Sequence, residues 1–289
     1  MFIQFLFNGI VTGLLYALAA LGFALVYNTT RVFHLAYSAL YVLSQYLLYS
    51  FFHYCAIPLI PAILLAVILV AGSSLAMELL VYRPLANKKA SPNSVLISSI
   101  GITIIVINCI ALFFGSQTKV LIGDAYRTFH LGSLIFTANQ LVQLAGCLIL
   151  LAALYAFING SGLGLRIRAM RDDEELLQLY GFDLGKMRTI VFLISGAVVA
   201  FAGAFQAIDL GMDPYTGMPL LFNAFICLVI GGMGQFRACI LGGLLIGIVQ
   251  ALTVWQFSSE WSSAITFGLL LVFLLLRPQG ILGQSKRNV

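Results

Sequence analysis

The stretch TIVFLISGAVVAFAGAFQAI, residues 189–208, carries no charged side chain over twenty consecutive positions, the length of helix that crosses the ~30 Å hydrocarbon core of a bilayer. Immediately before it, RAMRDDEELLQLYGFDLGKMR (168–188) packs nine charges into twenty-one positions of a chain that is only 9% charged. A segment fit for lipid follows one fit only for water or a protein surface. The rest of the chain resembles the first kind: of 289 residues 61% are hydrophobic, with a mean hydropathy of +1.04. A soluble chain of this composition would expose apolar patches far beyond those that monomers tolerate. The sequence reads as an integral membrane protein.

Apolar runs broken by Pro, Gly and charge place spans near 4–27, 34–55, 58–82, 94–114, 137–158, 189–209, 220–235, 239–255 and 262–276. Runs of this length without ten-residue alternation exclude an outer-membrane barrel. The expectation is an all-α polytopic membrane protein of about 8–9 transmembrane helices forming one transmembrane domain over 1–289, with a cytoplasmic loop at about 163–188. The segment 220–235 is short and ends in glycines, so it reads either as a span or as re-entrant. With the N-terminus outside, thirteen basic residues (Arg31, Arg83, Lys88, Lys89, Arg166, Arg168, Arg171, Lys186, Arg188, Arg237, Arg277, Lys286, Arg287) fall on the cytoplasmic side and two (Lys119, Arg127) outside. That bias puts the charged stretch and the C-terminus in the cytoplasm. The first apolar run lacks a basic leader and a cleavage site, so it reads as a retained span.

Several chemistries are excluded. The net charge of +5 is scattered between apolar runs instead of forming a nucleic-acid-binding face. The five cysteines stand singly, and neither they nor the three histidines form a metal-ligand pattern, so no metal is expected. No GxxxxGK[ST] is present, and GGMGQ (231–235) lacks the lysine that would reach phosphates, so it reads as a turn. Small residues recur at every fourth position at Gly9, Gly13 and Ala17 and again at Gly243 and Gly247, which suits close helix packing within one subunit or between two.

Within the charged stretch, Asp172, Asp173, Glu174 and Glu175 precede Leu176, Leu177, Leu179 and Tyr180, and Gly181 follows. Acids at the start and glycine at the end predict a short helix. Such a helix is marginal alone, so it rests on its own protein or headgroups, or docks a cytoplasmic protein. Four consecutive acids disfavour an anionic leaflet, and five of the ten acidic residues of the chain lie in this loop, as a docking surface specified by charge would require.

VYRPLANKK (81–89) with LISSIGITIIVIN (96–108), LGLRIRAMRDDEELLQLYGFDLGKMRTIVFLISGAVVAFAGAF (163–205), DPYTGMPLLFNAFICLVIGGMG (213–234) with ILGGLLIGIVQAL (240–252), and RPQGILG (277–283) together resemble the inner-membrane permeases of branched-chain amino acid ABC importers. The likeness runs the length of the chain and is closest to the LivH type. It implies an ABC importer permease of type II-like architecture, in which Arg171 to Leu177, Leu179, Tyr180 and Gly181 form the coupling helix that docks on the ATPase. It also implies a soluble substrate-binding protein outside, a sister permease making a heterodimer, and two ABC ATPase subunits that hold ATP and Mg, this chain carrying no cofactor. Glu175 and Gly181 are six apart, as in the broader importer coupling motif, although the alanines that usually follow the Glu are absent.

A path for a small polar solute needs polar groups at membrane depth. His34, Tyr37, Ser38, Asn108, Asn223 and Gln250 are the candidates, and Asp213, Pro214 and Tyr215 in MDPYTG are candidates for the outer mouth. Where the family shows Asn-Phe-Ala-His-Gly, this chain reads HLAYS (34–38), which changes width and hydrogen bonding there. The solute class therefore extends from branched-chain amino acids to urea, short amides and other small solutes. A secondary transporter or channel without ATP would need an intramembrane acid for coupling, and only Glu78 is available; it reads first as an ion pair with Arg83. A membrane enzyme would need a catalytic constellation that the sequence lacks.

Overall fold

The computed structural model describes residues 2–121, 128–131, 134–232, 234–277 and 279–282. Arg127, Lys286 and Arg287 of the charge count, and parts of the GGMGQ and RPQGILG stretches, lie outside the described residues. The helices are α1 (Phe2–Thr30), α2 (Tyr37–His53), α3 (Leu59–Met77), α4 (Arg83–Asn87), α5 (Pro92–Phe114), α6 (Ala138–Gly160), α7 (Gly162–Asp172), α8 (Glu174–Leu179), α9 (Leu184–Asp209), α10 (Gly217–Gly231), α11 (Phe236–Gln256) and α12 (Trp261–Leu276). A hairpin of β1 (Thr128–Leu131) and β2 (Leu134–Thr137) precedes α6. Among the described residues, six segments are long and apolar enough to cross a membrane: α1, α3 continued through α4, α5, α6, α9 and α11. α10 and α12 are shorter. At 15 residues, α10 is roughly 22 Å long, short of the ~30 Å hydrocarbon core.

The nine spans read from sequence all appear as helices. The largest boundary errors are of five residues: α3 ends at Met77 and not at 82, and α9 starts at Leu184 and not at 189. Asp183 accepts a hydrogen bond from the Lys186 backbone N–H at 3.2 Å, so Lys186 and Arg188 lie within the first turns. Charge marks where lipid ends, not where a helix ends.

The chain divides into two compact units. The first comprises Met1–Ala24, Asp124–Leu151 and Phe222–Val289. Here the small-residue stripes of α1 and α11 pack on each other: a Cβ on Gly13 would meet the Gly243 carbonyl oxygen at 2.9 Å, and one on Gly243 would meet the Ala17 N at 2.6 Å. The stripes therefore serve packing inside one chain. A Gly243→Val permease is expected to lose about 5 °C or more of thermal stability in detergent, because neither backbone can yield to the added side chain. Gly268→Ala, in open space on α12, should leave the midpoint unchanged or raise it; a fluorescence melt of both variants checks this. Gln4 clasps the hairpin, its amide donating to the Ile135 carbonyl at 2.7 Å and accepting from the Ile135 N–H at 2.8 Å. The glycine run after α10 turns the chain, with φ of 125° at Gly232 and 99° at Gly234. The tail then covers the end of α10: Ile281 N–H donates to the Ile230 carbonyl at 2.8 Å and Leu282 N–H to that of Gly231 at 3.0 Å. These are carbonyls a helix end leaves unpaired.

The second unit comprises Leu25–Gly123 and Ala152–Leu221. α2 and α3 both pack on α9, where Gly203 lies against Ser44 and the Tyr41 carbonyl and Gly196 lies against Ser74. Ser74 Oγ donates across to the Phe192 carbonyl at 2.8 Å. Between α3 and α4 the helix widens into a π-turn, Glu78–Tyr82, closed by Arg83 N–H donating to the Glu78 carbonyl. Pro84 explains it, since a proline cannot donate within the helix and its ring crowds the carbonyl four residues back. π-turns of this kind often mark functional positions.

Candidate functional site

The charged loop folds as two short helices at an angle set by one residue. Ser161 opens α7 by accepting from the Gly164 N–H at 2.9 Å. Asp173, extended at φ −155° and ψ 107°, ends α7 and starts α8, its carboxylate accepting from the Leu176 N–H at 2.9 Å. Aspartate competes with the backbone for hydrogen bonds and so favours a break with a cap. The expectation of one helix with four acids at its head is corrected here. Glu174 and Glu175 occupy the first turn of α8 and Asp173 caps it, but Asp172 closes α7 and pairs with Arg171 at 2.7 Å. Gly181 does take the left-handed conformation after the helix, at φ 83°.

The apolar residues of α8 divide by direction. Leu177 turns inward and is 5% exposed, whereas Leu176, Leu179 and Tyr180 are 49%, 84% and 75% exposed. Ile167 and Met170 of α7 are buried beneath, and the Arg166 guanidinium lies 4.9 Å from the centre of the Phe182 ring. Three large apolar groups thus stand outward from a helix carrying two glutamates.

Behind this element lies a buried ion cluster that joins the start of α9 to the π-turn. Arg188 donates to both carboxylate oxygens of Glu78, at 2.7 and 3.2 Å, and Glu78 is fully buried. Arg83, the partner expected from sequence, is the more distant cation at 4.0 Å. It holds the first turn of α9 instead, donating to the Gly185 carbonyl and to Thr189 Oγ1, the latter at 2.8 Å. Nothing in the local sequence marks Arg188 as the partner, because the pair spans 110 positions.

The polar candidates fall into separate groups. His34, Tyr37 and Ser38 are buried in the second unit. His34 Nδ1 lies 2.8 Å from the Tyr82 hydroxyl, which donates to Ser99 Oγ at 2.9 Å, and Ser99 accepts from the Ala36 N–H at 2.9 Å. Phe192 and Tyr82 flank the imidazole. Ser38 bonds back to the Leu35 carbonyl at 2.8 Å. Asn108 is exposed on α5, its amide donating to the Ile104 carbonyl of its own helix at 2.7 Å. Asp213, Pro214 and Tyr215 form a bend between α9 and α10: Asp213 accepts from the Tyr215 N–H at 2.8 Å, Pro214 is buried and Tyr215 is 57% exposed. Paired backbone bonds between Lys119 and Met212, at 2.9 and 2.8 Å, brace it. In the first unit, Asn223 and Gln250 are brought together with Tyr16 and Thr266, two residues the sequence reading missed because neither is unusual in an apolar helix.

Residues 5–274 match the family model described as branched-chain amino acid transport system, permease component. The chain belongs to this permease family. The permease is 29% identical to the high-affinity branched-chain amino acid transport system permease protein LivH of Escherichia coli (strain K12), over 99% of this chain and 96% of that protein. To LivM of the same organism it is also 29% identical, but over only 43% of this chain and 29% of the other. The permease is thus of the LivH type. Its fold is similar to that of PsaBC from Streptococcus pneumoniae in complex with Fab, with a TM-score of 0.53 and 11% identity over 96% of this chain and 93% of that one. The permease is a multi-pass membrane subunit of an ABC importer and not itself a catalytic enzyme.

Proposed function

We propose that the permease forms the translocation path of an importer for branched-chain amino acids, driven through α8 by two ABC ATPase subunits that carry ATP and Mg. The observation that carries this reading is the outward face of Leu176, Leu179 and Tyr180 on a capped, charged helix. Exposed large apolar groups beside charges mark a protein contact. The helix is also tied to the spans, since Arg83 and Arg188 fasten the start of α9 to the π-turn on α3, so movement at α8 reaches both. On this reading α8 faces the cytoplasm of a bacterial-type inner membrane, the C-terminus lies on the same side, and the bend at Asp213, Pro214 and Tyr215 lies outside, where a soluble binding protein delivers solute.

The second permease of the pair is a related chain and not a second copy. The full-length match to LivH and the partial match to LivM of one organism support a division between two permease types. The substrate is tested by ATP-dependent uptake into proteoliposomes holding the full complex and its binding protein, with leucine, isoleucine and valine set against urea and acetamide. Uptake of the three amino acids, uninhibited by excess urea or acetamide, is the expected result. Preferential uptake of either amide would overturn the substrate assignment.

A further inference from the structure

Tyr16 of α1, Asn223 of α10, Gln250 of α11 and Thr266 of α12 meet within the first unit. The Tyr16 hydroxyl donates to Gln250 Oε1 at 3.0 Å. The Gln250 amide donates both its hydrogens, to Asn223 Oδ1 at 3.1 Å and to Thr266 Oγ1 at 3.0 Å. Gln250 thus joins Tyr16 and Asn223 in one hydrogen-bonded cluster. Thr266 is buried, donating to the Ser262 carbonyl at 2.8 Å, and anchors the cluster. Tyr16, Asn223 and Gln250 themselves stay partly exposed.

Their place along the helices gives this exposure its meaning. Tyr16 is the fifteenth of 29 residues in α1 and Asn223 the seventh of 15 in α10, so the cluster sits at the middle of these two helices. Partly exposed amides and a phenol at such depth are unfavourable against lipid; they belong on a water-lined path or against another polar surface. Hydrogen-bond accounting then specifies what they would meet. The side-chain oxygens of Tyr16, Asn223 and Gln250 each keep an unused lone pair, and an ammonium group has three N–H donors to offer. The cluster holds no formal charge, so it would solvate an amino group without trapping it, as passage requires. A solute of net charge would need a counter-charge that the cluster lacks.

We propose that Tyr16, Asn223 and Gln250 form an uncharged hydrogen-bonding station on the translocation path, which receives the amino group of a net-neutral amino acid. The station rests on the reading of the chain as an importer permease. Its test is uptake of radiolabelled leucine by the reconstituted complex at saturating binding protein, with ATP hydrolysis measured on the same vesicles, for Tyr16→Phe and Gln250→Leu. Loss of one hydrogen bond to the moving solute should lower leucine uptake roughly five- to tenfold in each variant, with assembly and stimulated hydrolysis retained, so that solute moved per ATP falls. Tyr16→Phe preserves the packing of the cluster, so the test survives if Gln250→Leu folds poorly. Unchanged uptake per ATP in Tyr16→Phe would overturn the station. So would dissociation of the two permeases with uptake lost in proportion, which would make the cluster an intersubunit contact. If the wild-type complex carries none of the branched-chain amino acids, the function reading fails and takes the station with it, a result distinct from either of these.

Discussion

A permease carrying Leu176→Ser, Leu179→Ser and Tyr180→Ser is expected to fold, to enter the membrane and to lose its ATPase subunits. The three side chains are 49% exposed or more, so their removal leaves the permease core intact. If docking buries them, each contributes about 1.5–3 kcal/mol. Together about 5 kcal/mol would be lost, more than a thousandfold in affinity. Co-purification of the ATPase with tagged permease reads this directly. Leu177→Ser serves as the contrast: Leu177 is buried under α8, so its variant should lower the yield of folded permease before it affects docking. The exposed glutamates are expected to matter less in equilibrium assembly, because charges at a contact rim mainly steer encounter.

The second large effect concerns the ion cluster behind α8. Glu78 is wholly buried, while the side chains of Arg188 and Arg83 are 12% and 32% exposed, so the partners are unequal. Arg188→Ala leaves a buried carboxylate with only Arg83 at 4.0 Å. Breaking a buried pair in this way costs about 3–5 kcal/mol. Glu78→Gln should cost less, since a glutamine still accepts from Arg188 and the arginines can turn toward water along their apolar stems. Combining Glu78→Gln with Arg188→Ala is expected to be milder than Arg188→Ala alone, the non-additivity that identifies a coupled pair. Thermal unfolding of the purified permease orders the three variants. Equal effects, or simple addition, would show that the cluster is not a pair.

Much of this architecture is legible in the sequence because the membrane imposes it. Runs such as 189–208 can only be helices, and loop arginines and lysines bound them. The left-handed Gly181 and the small-residue stripes of α1 and α11 are readable for similar reasons, since each depends on one residue type at a set position; that the two stripes pack on each other inside one chain is not. What stayed hidden depends on tertiary neighbours. Glu78 has an arginine five positions away, and that nearness masked Arg188 across 110 positions. The leucines of α8 look alike in sequence, and only the seating of α8 sorts Leu177 from Leu176 and Leu179. The break at Asp173 lies in a run of four acids where any could have capped. Tyr16 and Thr266 gave no signal, because hydroxyls in apolar helices commonly bond their own backbone; their role emerged only with Gln250 between them.

Whether α8 couples ATP hydrolysis to transport through this chain is read on one preparation: ATP hydrolysis and leucine uptake measured together in proteoliposomes, with and without loaded binding protein, for the wild type and for Leu179→Ser. Loaded binding protein is expected to stimulate both activities together in the wild type, and both responses are expected to fall sharply in the variant. Uptake that continues without ATP, or that is unchanged when Leu179 becomes serine, would contradict this coupling.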